Sequence, residues 1–404
     1  MIKVAVMGYG TIGSGVAEVL EKNKDTIMHT VGQEVSLKYV LDLRDFPGSP
    51  VEDKLVHDFS VIEQDPEVEI VVECMGGLNP AYPFVKACLL AGKHVATSNK
   101  ALVAAYGTEL LAIARDKQVN FFFEASVGGG IPIIRPLYRC LTGEKVEEIT
   151  GILNGTTNFI LTKMDKEGWS FKTALKEAQR LGYAEQNPEA DVEGHDTCRK
   201  LAILTAMATG REVNYEEIYT EGITQVSDID FQYAKKLGMT VKLVGSARMS
   251  GEETVSAFVA PLMVKEDHPL STVNDVFNGI LVKGNMLGVT MYSGSGAGKL
   301  PTASAVVADI IDAAKHLHQN VAMGWTEKKQ TLAPMGMNEF RYVIRLSGQP
   351  EERMSEFMEF SPREIAALDK LDEFAILSKP MREAEFLEAV GKISGIVKYI
   401  RAER

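Results

Sequence analysis

Over residues 1–123, short apolar runs alternate with stretches of helical periodicity. The runs Ile2–Met7, Val35–Leu41, Glu69–Cys74, His94–Thr97 and Val119–Phe123 read as strands. Helical patterns fall near Gly13–Lys22, Pro80–Ala91 and Ala101–Lys117. Near-continuous apolar strands separated by helices predict a parallel sheet covered on both faces. At Ser126–Pro132 the sequence SVGGGIP breaks this rhythm and reads as a domain junction. Beyond it, elements come in blocks. A strand is predicted at Val146–Leu153, then a helical region to about Gly238 that includes the apolar segment Lys200–Thr209. Strands return at Thr240–Arg248, Thr254–Val264 and Asn278–Lys283. Pro301 opens an apolar helix, PTASAVVADIIDAAKHL, at the first helical position, where proline is tolerated. From about Met337 a strand Arg341–Leu346, a strand Phe374–Leu377, a helix Met381–Ile393 and a strand Val397–Ile400 predict a small α+β module. The segment Arg353–Pro362 shows no clear apolar stripe for a further helix.

Composition narrows the class. The 404 residues are 45% apolar and 24% charged, as in soluble globular chains of two or three domains. With 43 basic against 55 acidic side chains the net charge is −12, which argues against a non-specific partner in nucleic acid or an anionic membrane. Cys74, Cys88, Cys140 and Cys198 are scattered without metal or redox spacing, and a reducing, cytoplasmic setting follows. No apolar run reaches the roughly 18 residues of a membrane span, and MIKVAVMGYG has no signal-peptide core.

The first predicted strand runs directly into Gly8-Tyr9-Gly10-Thr11-Ile12-Gly13. Strand, GxGxxG and helix together form a dinucleotide-binding turn. Gly8 permits the tight bend, Gly10 lets the backbone approach a pyrophosphate, and Gly13 lets helix and strand pack closely. The helix start then offers free N–H groups to the phosphates. The second strand ends at Asp42 and Arg44. A carboxylate there suits the ribose of NAD and a guanidinium the 2′-phosphate of NADP, so both cofactors stay open. Arg44 reads equally well as a solvated loop charge. Asp42 comes 29 residues after Gly13, more than the usual ~20, which implies a longer connection at His29–Glu34.

Two further clusters carry candidate chemistry. Thr97-Ser98-Asn99-Lys100 follows the fourth strand, at the end that faces the nicotinamide crevice of a doubly wound sheet. A cation at a helix start opposes the dipole, which favours a functional Lys100 over a helix-start residue beside an ordinary cap. The second cluster is Gly182-Tyr183-Ala184-Glu185, Asp191 and Gly194–Leu201. Asp196 and Lys200 share a helical face. They would be an exposed ion pair, except that Lys200 heads the buried-looking run LAILTAMAT.

With these residues in view the chain resembles the homoserine dehydrogenases. GYGTIG at 8–13, TSNKAL at 97–102, EASVGGGIPII at 124–134, GILNGTTNFIL at 151–161, LGYAEQNPEADVEGHD at 181–196 with Lys200, and GSGAGKLPTASAVVADI at 294–310 carry the resemblance in order. The tail after about 337 resembles an ACT-type regulatory module more weakly. The resemblance implies an α/β fold. A Rossmann-type doubly wound parallel sheet spans 1–125 with the helix at about 301–320. An α+β catalytic and dimerisation domain spans 126–300, and a divergent ACT-like module 337–404. It implies NAD(P)-dependent interconversion of L-homoserine and L-aspartate 4-semialdehyde, in threonine, methionine and isoleucine biosynthesis, by a homo-oligomer.

By the same resemblance, Lys200 is the proton donor to the nascent alkoxide and Lys100 lies near substrate and nicotinamide. Glu185 holds the substrate amino group, and Asp196 is a second acidic contact. Asn154, Gly155 and Thr156 form the loop beside the substrate, with Tyr183 and Asp191 in the same substrate set. Gly298 joins the GxGxxG residues, Asp42, Arg44, Thr97, Ser98 and Lys100 around the cofactor. Backbone carbonyls of Glu124, Val127, Gly129 and Ile131 hold a monovalent cation, commonly sodium; a structural crossover without an ion is the alternative. In the tail, Ser347-Gly348-Gln349-Pro350 replaces the D-x-P-G effector turn, which predicts weak or absent inhibition by L-threonine.

Two rivals remain from the residues alone: another Rossmann oxidoreductase acting on a small aldehyde or sugar, and a non-catalytic nucleotide sensor. The first has no use for the Glu185–Asp196–Lys200 cluster. The second has no use for intact Lys100 and Lys200.

Overall fold

The computed structural model describes the whole chain except Ser250, Glu252 and Lys370. It divides into two compact units. One comprises Met1–Lys145, Ala202–Tyr215 and Gly294–Gln330; the other comprises Val146–Leu201, Glu216–Ser293 and Thr331–Arg404.

In the first unit, six strands form one sheet: β1 (Ile2–Met7), β2 (Val35–Leu41), β3 (Leu55–Val56), β4 (Val68–Glu73), β5 (His94–Thr97) and β6 (Phe121–Phe122). Their order is β3-β2-β1-β4-β5-β6, and every neighbouring pair is parallel. This is the doubly wound order, and its switch point lies between β1 and β4. Val4, Val6, Ile70, Val71, Val72 and Val95 are fully buried, as strands covered on both faces require. The long interval before Asp42 holds an extra helix, Lys24–Val31. The glycine-rich segment Ser126–Pro132 lies inside this unit.

The late apolar helix runs from Lys299 to Lys315, two residues ahead of the predicted start at Pro301. Gly298 precedes it at φ +119°, a conformation that turns the chain sharply enough to begin the helix early. Pro301 then falls in the first turn, where its missing N–H still leaves no intrahelical bond unmade. This helix packs closely on Thr11–Lys22: a Cβ on Gly15 would lie 2.9 Å from the Ala303 Cβ and 3.0 Å from the Lys299 carbonyl.

The second unit is built on one mixed sheet. Its strand order is Gly288–Ser295, Phe277–Gly284, Val146–Ile152, Met239–Met249, Thr254–Lys265, Ile396–Ala402, Glu339–Ser347, Glu373–Leu377 and Glu364–Ala367. Strand Gly288–Ser295 was not legible in the sequence. Its apolar Val289 and Met291 point to solvent, so no buried face marks it. Helices Gly155–Glu167, Phe171–Arg180, Asp228–Lys236 and the start of His195–Thr209 belong to this unit.

The tail follows a β-α-β-β-α-β order, and its own strands pair antiparallel with one another. Contrary to the sequence reading, a helix spans Pro350–Phe357. Proline and two glutamates set its start, and it needs no apolar stripe because Phe357 alone on it is buried, with Phe360 just beyond. The second tail helix, Glu383–Val390, is shorter than predicted, since Met381–Arg382 pairs with Glu339–Phe340 instead. Tyr342, Phe357, Phe374 and Phe386 share a buried cluster with Val244, Phe258 and Val264 of the long central strands.

Candidate active site

In the first unit the GxGxxG turn is formed as its glycines require. Gly8 sits at φ +94°. A Cβ on Gly13 would lie 1.9 Å from the Gly8 carbonyl oxygen, so the helix rests directly on the turn. A Cβ on Gly10 would meet no protein atom, which leaves that face of the backbone open to a pyrophosphate. Thr11 and Ile12 begin the helix, and Gly10 caps it without a side-chain bond. The Tyr9 N–H donates to Asp42 Oδ2 at 2.8 Å, joining the turn to the end of β2. Arg44 grips the same carboxylate in bidentate fashion, Nε to Oδ1 at 2.9 Å and Nη2 to Oδ2 at 3.0 Å. That pairing holds the Asp42 carboxyl well below the usual carboxylate range. The Arg44 side chain is otherwise mostly exposed, with its guanidinium over the Phe46 ring.

Across the switch point, β4 ends in a residue that the sequence reading passed over. Glu73 is fully buried, and burial pushes its carboxyl up. Its Oε1 accepts the N–H groups of Met75 and Gly76 at 2.7 and 3.1 Å, and its Oε2 accepts the Thr97 hydroxyl at 2.5 Å. Thr97 Oγ1 in turn accepts the Asn99 N–H at 2.9 Å, and Asn99 Nδ2 donates to the Gly77 carbonyl at 2.6 Å. Asn99 also caps the next helix through the Leu102 N–H at 3.1 Å, which makes Lys100 its first residue. Ser98 N–H closes onto the Glu73 carbonyl at 3.3 Å. The signal in sequence was a lone glutamate closing an apolar strand before a glycine pair, VVECMGG.

In the second unit the substrate candidates converge on Asn154. This residue caps helix Gly155–Glu167 with its Oδ1, which accepts the Thr157 N–H at 2.8 Å. The cap fixes the amide so that Nδ2 points to two carboxylates, Asp191 Oδ1 at 2.8 Å and Asp196 Oδ2 at 2.9 Å. Lys200 Nζ donates to the same Asp196 oxygen at 2.6 Å and to the Leu153 carbonyl at 2.8 Å. Lys200 and Asp196 are both buried, so the pair is no exposed helix-face salt bridge. Thr156 Oγ1 ties the turn to the Tyr183 carbonyl at 2.6 Å, and the Tyr183 ring packs edge-on to Phe159. Gly155 lies against the Val276 carbonyl, where a Cβ would approach to 2.8 Å. Glu185 is exposed on the segment between helices Phe171–Arg180 and Glu189–Val192, with its carbonyl accepting Gln179 Nε2 at 3.1 Å. Two carboxylates and an ammonium thus converge on one amide.

Comparison with known proteins agrees with both halves. A family model described as "Homoserine dehydrogenase, NAD binding domain" matches residues 8–124, and one described as "Homoserine dehydrogenase" matches 132–311. The homoserine dehydrogenase of Bacillus subtilis (strain 168) is 36% identical over 98% of this chain and 95% of its own length. The chain belongs to the homoserine dehydrogenase family. As a member it is an NAD(P)-dependent oxidoreductase acting on a CH–OH group. The crystal structure of a homoserine dehydrogenase from Thiobacillus denitrificans superimposes with a TM-score of 0.91 at 36% identity, covering 100% of this chain and 98% of that one. A hyperthermophilic archaeal homoserine dehydrogenase in complex with NADPH matches 77% of this chain and 97% of its own, with a TM-score of 0.67 at 29% identity.

The family's glycine-rich crossover is held rigidly here. Glu124 is buried, and its carboxylate accepts three backbone N–H groups, from Ile133, Ile134 and Arg135, at 2.6–2.8 Å. Its own N–H donates to Asp309 Oδ2 at 2.8 Å. Gly128 and Gly129 take positive φ, and a Cβ on Gly129 would lie 2.5 Å from the Gly296 carbonyl. Among the described residues no cluster of three or more His, Cys, Asp or Glu side chains has metal-site geometry, and no helix is long and apolar enough to cross a membrane.

Proposed function

We propose that this chain interconverts L-homoserine and L-aspartate 4-semialdehyde, with its site residues in the following roles. The observation that carries the reading is the buried Asp191–Asn154–Asp196–Lys200 network. Bound nicotinamide supplies or accepts the hydride. As the aldehyde carbon is reduced its oxygen gains charge, and the Lys200 ammonium stabilises that oxygen and passes it a proton. The Leu153 carbonyl and Asp196 aim the ammonium, so it meets the oxygen without reorganising. Glu185, Asp191 and Asp196 receive the substrate ammonium. Tyr183, Gly155 and Thr156 shape the wall beside it. Lys100, held at a helix start by the Asn99 cap, serves the cofactor side together with Thr97 and Ser98.

The glycine cradle at Gly8, Gly10 and Gly13 fits a dinucleotide pyrophosphate, with Gly298 at a second helix start. Arg44 covers the Asp42 carboxylate and keeps further N–H groups that a 2′-phosphate can use, and we favour NADP over NAD. A sodium ion would be held by the carbonyls of Glu124, Val127, Gly129 and Ile131, and hard carbonyl oxygens on a rigid loop suit it. A cytoplasmic homo-oligomer completes the proposal.

Initial rates of semialdehyde reduction with NADPH and with NADH test the reading. In the same assay, Lys200→Ala is expected to lose roughly 10²–10⁴-fold in turnover while NADPH titrations stay nearly unchanged. A variant with near-wild-type rate at saturating substrate contradicts the role given to Lys200.

A further inference from the structure

The last strand of the chain, Ile396–Ala402, joins the tail to the central sheet. Arg401 and Ala402 pair in parallel with Leu262 and Met263, while the strand's other edge pairs with Glu339–Ser347. Arg401 sits at that seam with its guanidinium buried. It donates from Nε to Glu383 Oε2 at 2.9 Å and from Nη2 to Glu383 Oε1 at 2.5 Å. Nη1 donates to Glu221 Oε2 at 2.6 Å, and Nη2 also reaches the Tyr219 hydroxyl at 3.0 Å. The Tyr342 hydroxyl completes Glu383 at 2.9 Å. Glu383 is as buried as the arginine, whereas the Glu221 side chain is 42% exposed. The two carboxylates therefore do different things. Glu383 makes the buried charge tolerable, and Glu221 is a separate arm.

That arm leads to the substrate cluster. Tyr219–Thr220 pairs with Phe258–Val259, and Glu221 N–H donates to the Val259 carbonyl at 2.8 Å. Two residues on, Ile223 N–H donates to the Val192 carbonyl at 2.8 Å. Gly222 lies between them with backbone pressed on backbone: a Cβ there would stand 2.3 Å from the Val192 oxygen and 2.5 Å from Glu193 Cα. The Gly194 N–H closes onto the Asp191 carbonyl at 3.0 Å, and the next helix begins at His195 with Asp196 and Lys200 on it. A Cβ on Gly194 would meet Thr220 at 3.1 Å. Thus a continuous run of bonds and backbone contacts, inside one compact unit, joins Arg401 to the turn between Asp191 and Asp196.

We infer that Arg401 is a positioning residue: through Glu221 the chain's final strand holds the Glu221–Ile223 strap against Val192–Gly194, and so fixes the two carboxylates that receive the substrate ammonium. This rests on the substrate roles given above to Asp191 and Asp196. The bidentate, charge-assisted fork to Glu383 fixes Arg401, whose Nη1 then holds Glu221 through a single charge-assisted bond, and carboxylates that bind an ammonium lose affinity when their turn shifts by a fraction of an ångström.

Arg401→Met would leave Glu383 buried without a cation and would report on folding rather than positioning. Glu221→Ala is the better cut, because Arg401 keeps Glu383. Glu221→Gln restores an acceptor without the charge. With Glu221→Ala, KM for homoserine is expected to rise about three- to tenfold while KM for NADP⁺ stays within about twofold. Hydrogen exchange should quicken at the amides of residues 191–196, and Glu221→Gln should recover most of both effects. A folded Glu221→Ala protein with unchanged homoserine KM, with both KM values raised alike, or with unchanged exchange at 191–196 overturns the inference. Asp196→Asn separates the two levels. If it raises homoserine KM while Glu221→Ala does not, only the strap fails; if it has no effect, the site reading fails and the strap with it.

Discussion

At the residue scale, one side chain is often asked to serve local structure and chemistry together. Asn154 is a helix cap whose second function follows from the first: once Oδ1 is committed to the Thr157 N–H, Nδ2 can only face outward, toward Asp191 and Asp196. Glu185 differs, being exposed and set by no such cap. If it pairs with the substrate ammonium, Glu185→Gln weakens homoserine binding more than NADP(H) binding. Coincident substrate titrations of wild type and variant would return Glu185 to the scaffold. A third residue, Lys242, belongs to stability. Burial lowers the Lys242 pKa to about 8, with Nζ donating to the Val273 carbonyl at 2.6 Å and to Asn274 Oδ1 at 3.1 Å. Between pH 8 and the ordinary lysine value of 10.5 the unfolded chain binds a proton that the folded chain does not, so stability rises with pH across that window. The unfolding free energy of wild type relative to Lys242→Met should therefore climb from about pH 8 and level off near 10.5. Parallel curves would show a lysine that titrates as if in water.

At the scale of elements, the cofactor turn was legible because its chemistry is local. GxGxxG, the strand before it and the helix after it occupy one short stretch, and each glycine has a backbone reason that the sequence alone states. The structure adds the size of the constraint. With its Cβ at 1.9 Å from the Gly8 oxygen, Gly13→Ala must push the helix off the turn. NADPH affinity, measured by fluorescence titration on folded protein, should fall by about tenfold or more, ~1.4 kcal/mol. Unchanged affinity would mean that the helix start does not hold the pyrophosphate. Elements whose reason is not local were read less well. Helix Pro350–Phe357 carries a single buried side chain, and strand Gly288–Ser295 turns its apolar residues outward. In both, pairing and packing rather than a buried periodic face set the conformation: the strand is held by its hairpin partner Phe277–Gly284, and the helix by the buried cluster that Phe357 enters.

For the whole molecule, those outward apolar residues are themselves informative. Phe277, Met286, Leu287, Val289 and Met291 are exposed together on the two adjoining strands at one end of the second unit's sheet and on the turn between them. Exposed apolar side chains of this kind are what an interaction surface presents. A second copy of the chain is the expected cover, giving at least a dimer; light scattering that finds a stable monomer at micromolar concentration would contradict this. The tail is part of the same sheet and the same core cluster as the long central strands, so removing it would strip Val244, Phe258 and Val264 of their cover. A truncated chain is accordingly no test of regulation, because lost packing and lost sensing would look alike.

Sequence by itself determined what depends on near neighbours along the chain. The alternation of apolar strands and helices gave a doubly wound sheet, the glycine spacing marked the strand-to-helix turn that suits a dinucleotide, and Asp196 with Lys200 shared a face four residues apart. Only tertiary structure decided which residues meet across long intervals. Asn154 reaches Asp191 and Asp196, and Lys200 reaches the Leu153 carbonyl. Glu73 binds the Thr97 hydroxyl, and Arg401 joins Glu383 and Glu221. The physical reason is range. Propensity, capping and backbone strain act over a few residues and leave a pattern, whereas a buried carboxylate or guanidinium is tolerated only because a distant partner desolvates with it, and nothing in its own neighbourhood records which partner that is.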